Sequence, residues 1–276
     1  MESGTRPTDE MAQAEELPQA DASGLVDADQ LETAVKEMYR QVAREESAEL
    51  HFEVGRPLAV HLGYPTEVLD RIPAEALASF AGVGYHFGLA DLKPGDEVLD
   101  LGSGSGTDVF SAAVLVGDSG RVVGVDFTDE QVAKARRLQQ ENGFSQVEFV
   151  QGRIERLPFE DESFDTVISN GVINLSVIKN AVFHEAARVL RPAGRLALSD
   201  IVSAHALKER TRRNVDLWAA CVGGAIPRRS YVEAIEATGL RVSEVRRNDY
   251  RFISDRAQEA CSTYGVESIS LVGDKP

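Results

Sequence analysis

Val98-Leu-Asp-Leu-Gly-Ser-Gly-Ser-Gly106 is the stretch on which the fold turns. A short apolar run carries one carboxylate, Asp100, and then gives way to glycine at every second position. The run predicts a buried strand over Glu97–Leu101, and the residues after the turn predict a helix over Asp108–Val116. Glycine between a strand and a helix lets the chain turn sharply and lets a ligand approach the backbone, because no Cβ stands in the way.

The pattern continues downstream. Strands are expected at Arg121–Asp126, Val147–Val150, Phe164–Ser169 and Arg195–Asp200, with helices at Asp129–Asn142 and Lys179–Leu190. Strands alternating with helices imply an α/β, Rossmann-like fold, a mostly parallel sheet covered by helices on both faces. Leu207, Thr211, Val215 and Trp218 mark a further helical stripe, and Ser230–Ala237 reads as a helix ended by Gly239. Leu240–Tyr250 and Ser268–Val272 are expected to pair as antiparallel strands at one sheet edge.

Upstream, residues 1–24 are acidic and lack aromatics, which predicts a disordered tail. Leu31, Val35, Met38 and Val42 recur at helical spacing, and short helices and turns follow to Phe87, so residues 25–90 are expected to form a helical lid. Residues 91–276 then form the main domain with its substrate-side elements.

The chain of 276 residues is 43% hydrophobic, enough for one sizeable core. Its net charge is −16, and eight acids against the single base Arg6 stand between Met1 and Gln30. Such a surface repels phosphate backbones, which argues against a nucleic-acid partner. Two cysteines, Cys221 and Cys261, suggest no disulfide framework. No apolar run approaches the ~18 residues a membrane span needs, and no secretory leader is visible, so a cytoplasmic protein without membrane attachment is expected. No metal site is expected, and nothing in the sequence fixes the oligomeric state.

The glycine spacing narrows the ligand. Dinucleotide folds use G-x-G-x-x-G to seat a pyrophosphate on a helix N-terminus. Here the spacing is G-x-G-x-G after Asp100, and a carboxylate at that point suits a ligand with an ammonium and a sulfonium, the description of S-adenosylmethionine. Asp126 closes the second strand twenty residues after Gly106, where a carboxylate can accept both ribose hydroxyls.

Further blocks match a known family. Leu62-Gly-Tyr64, Ile72-Pro73, Gly120–Asp126, Ser169-Asn-Gly-Val-Ile-Asn-Leu-Ser176, Arg188–Arg195, Ser199-Asp-Ile201 and Cys221-Val222 make residues 35–225 resemble the arsenite methyltransferases, a family of S-adenosylmethionine-dependent enzymes. By that resemblance Tyr39 lies on a lid over the cofactor. Asp100, Gly102 and Gly104, with Gly106 completing the turn, hold its methionine end. Asp126 binds the ribose, with Phe127 and Thr128 beside it. Ile154 and Glu155 border the adenine, and Ser169 and Asn170 line the site after the fourth strand.

The departures from the family bear on the acceptor. Trivalent arsenic needs soft thiolate ligands. Where the family has cysteine in a Gly-Cys-Gly turn and in Ser-Asn-Cys, this chain has Val83 and Gly171, and no cysteine precedes Cys221. Cys221 itself is expected as a small buried hydrophobe, and Cys261 is expected to lie apart from it. The reading is therefore methyl transfer to an organic small molecule or a peptide, in specialised metabolism. His86 would serve as general base, with Tyr85 and Asn174 orienting the acceptor. The alternatives are an arsenite methyltransferase with a reduced thiol set, a non-catalytic S-adenosylmethionine-binding module, and an NAD oxidoreductase.

Overall fold

A computed structural model describes residues 21–22, 24–43, 53–219, 221–253 and 255–276. Its helices are α1 (Ala28–Ala43), α2 (Gly55–His61), α3 (Thr66–Leu69), α4 (Ala74–Ala78), α5 (Phe87–Ala90), α6 (Thr107–Val116), α7 (Asp129–Glu141), α8 (Lys179–Val189), α9 (Glu209–Arg212), α10 (Val215–Ala219), α11 (Arg228–Glu236) and α12 (Asp255–Tyr264). The strands are β1 (Glu97–Leu101), β2 (Arg121–Asp126), β3 (Val147–Gln151), β4 (Phe164–Asn170), β5 (Leu190–Val202), β6 (Arg241–Arg247) and β7 (Glu267–Asp274).

They form one sheet in the order β3-β2-β1-β4-β5-β7-β6. The first five are mutually parallel, and β7 runs antiparallel to both β5 and β6. Successive side chains of a strand point to opposite faces, and along the central strands β1, β2, β4 and β5 both faces are largely buried. Val98 and Ile168 pack with Phe110 and Phe149 beneath α6 and α7, while Leu99 and Val167 pack with Phe183 and Tyr231 beneath α8 and α11. Strand order reverses between β1 and β4, because β2 and β3 lie to one side of β1 and β4 and β5 to the other. Ligands in open α/β sheets bind at the carboxyl ends of strands at such a point.

The expected alternation is present, including the antiparallel pair at one edge, and the differences have local causes. The stripe from Leu207 to Trp218 is two helices instead of one. The Asn214 side chain accepts the Leu217 N–H at 2.9 Å and caps a new helix, while the Trp218 indole donates back to the Arg212 carbonyl. Helix α12 has no counterpart in the sequence reading, although its buried Ala257, Ala260 and Tyr264 stand at helical spacing. β6 ends at Arg247 rather than Tyr250.

Most of the expected acidic tail lies outside the described residues. Its end does not behave as a tail: the Ala22 N–H donates to the Val177 carbonyl at 2.7 Å, and Ala22 is buried with Leu31, Val35 and Trp218. Within the expected lid, α1 and the Ser79–Gly82 segment line the cleft at the carboxyl ends of the strands. Leu58, Leu77 and Phe87, from α2 to α5, share their core with β1 and α6.

Candidate functional site

The turn after β1 is pinned from two sides. The Gly102 and Ser103 N–H groups donate to the Val125 carbonyl at 2.8 and 3.0 Å. Asp126, at the end of β2, accepts the Gly104 N–H at 2.9 Å on one carboxylate oxygen and the Thr128 N–H at 2.8 Å on the other. Gly102, Gly104 and Gly106 have φ of 72°, 53° and 97°, a region that side chains disfavour.

A cleft of two lobes opens above this turn, with Gly102, Asp126, Phe127, Val172, Leu175 and Val35 of α1 common to both. The first lobe is acidic. Asp100, Asp108 and Asp126 line it, all buried, and among the described residues no lysine or arginine does. Burial pushes the Asp100 carboxyl well above the usual range, and the neighbouring Asp108 and Asp126 push it further. Burial also raises Asp126, against the pull of the N–H groups it accepts. The second lobe is more apolar, with Leu31, Ile154, Glu155, Ser176 and Val177 on its walls. Glu32 of α1 and Arg153 form an ion pair at its mouth.

Buried carboxylates with no basic partner among the described residues suit a cation and oppose a pyrophosphate. A ligand with ammonium and sulfonium groups at one end and an aromatic base at the other matches the two lobes in order. A titration follows. A cationic ligand stabilises the ionised carboxylates, so binding releases protons wherever Asp100 and Asp126 are protonated in the ligand-free protein. The affinity for S-adenosylhomocysteine, which keeps the ammonium, should therefore fall as pH is lowered from 7 to 5. Calorimetry across that range checks this, and a flat profile would contradict it.

The residues expected at the cofactor divide into groups. Asp100, Gly102, Gly104, Asp126, Phe127, Thr128, Ile154, Glu155 and Asn170 stand on the cleft walls. Gly106 does not. A Cβ there would stand 2.6 Å from the Phe149 ring, so this glycine serves packing between α6 and β3. Ser169 also turns away and donates its hydroxyl to the Leu101 carbonyl at 3.0 Å. The Tyr39 side chain lies outside the described residues.

The expected acceptor residues are displaced from both lobes. His86 is fully buried against Phe87, ring centroids 4.6 Å apart, and neither ring nitrogen has a hydrogen-bond partner in the structure. Burial lowers its pKa, so the ring is held neutral away from the cleft. Tyr85 packs edge-on against Tyr64 at 4.9 Å. Asn174 is drawn down by two bonds, its N–H donating to Asp200 at 2.9 Å and its side chain to the Cys221 carbonyl at 2.5 Å.

One carboxylate that lines the acidic lobe was not singled out from the sequence. Asp108, on the first turn of α6, accepts the Tyr64 hydroxyl at 2.6 Å and the Asn170 amide at 3.0 Å. Asn170 in turn accepts the Val83 N–H at 2.8 Å and so ties the Gly82–Gly84 loop to the end of β4. The available signal was an acid on the first helical turn after a glycine turn, where a helix end favours a carboxylate even without a ligand.

The positions at which the family places thiols do converge, immediately behind Gly82 and Asn170. A Cβ on Gly171 would stand 3.2 Å from Val83, and the Cys221 thiol is 3.7 Å from the Gly171 carbonyl. Cys221 is buried as expected, but it adopts φ of 61°, unusual for a residue with a side chain. Cys261 is not remote. It packs against the same apolar group as Val83, Cys221 and Tyr250, whose phenol is pushed up chiefly by burial, with smaller contributions from both cysteines and Glu53.

The strand order, the reversal at β1 and β4, and a carboxylate at the end of both β1 and β2 define a Rossmann-like class I methyltransferase, with S-adenosylmethionine as its cofactor. Residues 92–257 match the family model described as "Methyltransferase domain", and the chain belongs to that family. It is 39% identical over 196 residues to an arsenite methyltransferase of Halobacterium salinarum, a match covering 70% of this chain and 50% of the relative. It is 36% identical over 229 residues to an arsenite methyltransferase of Aquipseudomonas alcaligenes, covering 72% and 65%. The chain thus spans between half and about two thirds of these relatives' own length. An arsenic (III) S-adenosylmethionine methyltransferase from Chlamydomonas reinhardtii superimposes with a TM-score of 0.58 at 31% identity, covering 80% of this chain and 74% of that one.

Proposed function

We propose that this protein holds S-adenosylmethionine across the two lobes, its methionine end over Asp100 and Gly104 and its adenine beside Ile154 and Glu155, and transfers the methyl group to an organic small molecule or a peptide. The sulfonium supplies an already activated methyl group, so the chain's part is alignment and exclusion of water. The observation that carries the choice of acceptor is the placing of Val83 beside Gly171, where a Cβ added to the glycine would stand 3.2 Å from the valine. Hydrocarbon fills the place where the family would present two thiolates, and a soft metalloid gains nothing from it.

A second reading, an arsenite methyltransferase with a reduced thiol set, is favoured by the names of the relatives and by one structural observation. Cys221 and Cys261 belong with Tyr250 to one apolar cluster, so two thiols stand in one neighbourhood. The two readings separate in one experiment. Purified protein is given S-adenosylmethionine with arsenite and a thiol, or with panels of amines, phenols, carboxylic acids and short peptides, and S-adenosylhomocysteine is measured. Turnover with an organic acceptor and none with arsenite is the expected result. Arsenite-dependent turnover lost in Cys221→Ser would overturn it in favour of the second reading.

A further inference from the structure

Beneath the second lobe lies a buried charged group with no part in methyl transfer. Lys179 opens α8 and is 1% exposed, and Asp200 on β5 is equally buried. The Lys179 ammonium donates to the Ser176 carbonyl at 2.8 Å and stands 4.8 Å from the centre of the Trp218 ring. Asp200 accepts the Tyr231 hydroxyl at 2.7 Å and the N–H groups of Asn174 and Ile201 at 2.9 and 2.7 Å. These bonds hold the ends of the segment from Asn174 to Ser176.

That segment is part of the cleft wall. The Ser176 hydroxyl donates to Glu155 at 2.7 Å, and Glu155, Ser176 and Val177 all face the second lobe. The Val177 carbonyl accepts the Ala22 N–H, which fastens the N-terminal segment. Trp218, against which Lys179 rests, packs with Leu31 and Val35 of α1. One ammonium thus supports the inner wall of the lobe and, through Trp218, the helix above it.

We propose that Lys179 is a positioning residue for the adenosine end of the cofactor, acting through the Ser176 carbonyl and the Ser176–Glu155 bond. The inference rests on S-adenosylmethionine occupying the cleft as proposed above. A lysine so buried is costly unless its charge is used. A charged donor makes a stronger bond than a neutral one, so the wall is firmest when Lys179 is protonated.

The charged and titratable groups around Lys179 are Asp200 on β5, Arg212 on α9, Asp21 in the N-terminal segment and Glu155 after β3, with the Tyr231 phenol of α11 behind Asp200. Burial and Arg212 lower the lysine's pKa, and the three carboxylates hold it up. The net direction is downward, which brings its titration toward neutrality. The protonated form is the tight-binding form, so affinity is retained below that pKa and lost as pH rises through it. This is opposite in sign to the effect of Asp100 and Asp126.

Calorimetry with S-adenosylhomocysteine between pH 5 and 8.5 tests this on the full chain. For the unsubstituted protein an affinity at least fivefold weaker at pH 8.5 is expected. Lys179→Met should bind about tenfold more weakly at pH 6.5, lose this alkaline decline and keep the acid one. Ser176→Ala, which leaves the buried charges in place, should also weaken binding severalfold. An unsubstituted protein whose affinity stays level or rises to pH 8.5 would overturn the proposal, whether or not Lys179→Met folds. So would a folded Lys179→Met with the parent affinity and pH profile. Absence of S-adenosylhomocysteine binding to the unsubstituted protein at every pH would instead remove the cofactor reading on which the proposal stands.

Discussion

Asp126→Ala is expected to weaken S-adenosylhomocysteine binding by about a hundredfold or more, the largest loss from any single change in the cleft. Its carboxylate organises the turn by accepting the Gly104 and Thr128 N–H groups. It also stands on the wall common to both lobes, where ribose hydroxyls would be bound. Alanine leaves two inward donors without acceptors, at about 1–3 kcal/mol for each buried group, and removes the acceptor for the sugar. A hundredfold corresponds to about 2.8 kcal/mol at roughly 1.4 kcal/mol per factor of ten, within the reach of either effect. Calorimetry at pH 7.5 decides, and an affinity within threefold of the parent would show that Asp126 serves the turn alone. Asp126→Asn keeps one acceptor oxygen and should fall between the two.

Gly106→Ala is expected to cost about 2–4 kcal/mol of stability, from a strained backbone and an overpacked core together. The residue has φ of 97°, and its Cβ would stand 2.6 Å from Phe149 and 2.9 Å from Phe110. Both rings are buried between α6 and the sheet, so neither can move aside. Gly104→Ala is the matched comparison. Its φ of 53° is also positive, but its Cβ would meet nothing closer than Gln131 at 3.9 Å. It should cost about 1 kcal/mol in stability and show its main effect on cofactor affinity, because it faces the acidic lobe. Urea titrations of the two variants, with calorimetry on each, would separate them. Equal stability losses would mean that Gly106 has the same freedom as Gly104.

The two glycines show where sequence reading stops. Glycine at every second position after an apolar strand marks a turn at which a ligand meets the backbone, and that much is local chemistry. Which glycine faces the ligand and which faces the core depends on Phe110 and Phe149, and Phe149 lies on a strand more than forty residues away. The same limit applies to His86. A histidine beside a tyrosine near the start of the domain looks available for acid–base work. Its burial is set by α5 turning that side chain toward Phe87 and away from the cleft. Asp108 is the converse case. It reads as an ordinary acid at a helix start, and only the approach of Tyr64 and Asn170, from two distant segments, makes it part of the lobe.

By itself the sequence determined the alternation of strands and helices, the antiparallel edge, the glycine turn and the carboxylates at the ends of β1 and β2. Each rests on periodicity or backbone freedom within a few neighbouring residues. Only the tertiary structure decided that Val83, Gly171 and Cys221 come together, that Cys261 lies near them, that Asp108 joins the acidic lobe, and that Lys179 sits beneath the wall of the second lobe. Those outcomes depend on which side chains approach across the sheet and how deeply they are buried, and chain-distant packing is what local pattern does not carry.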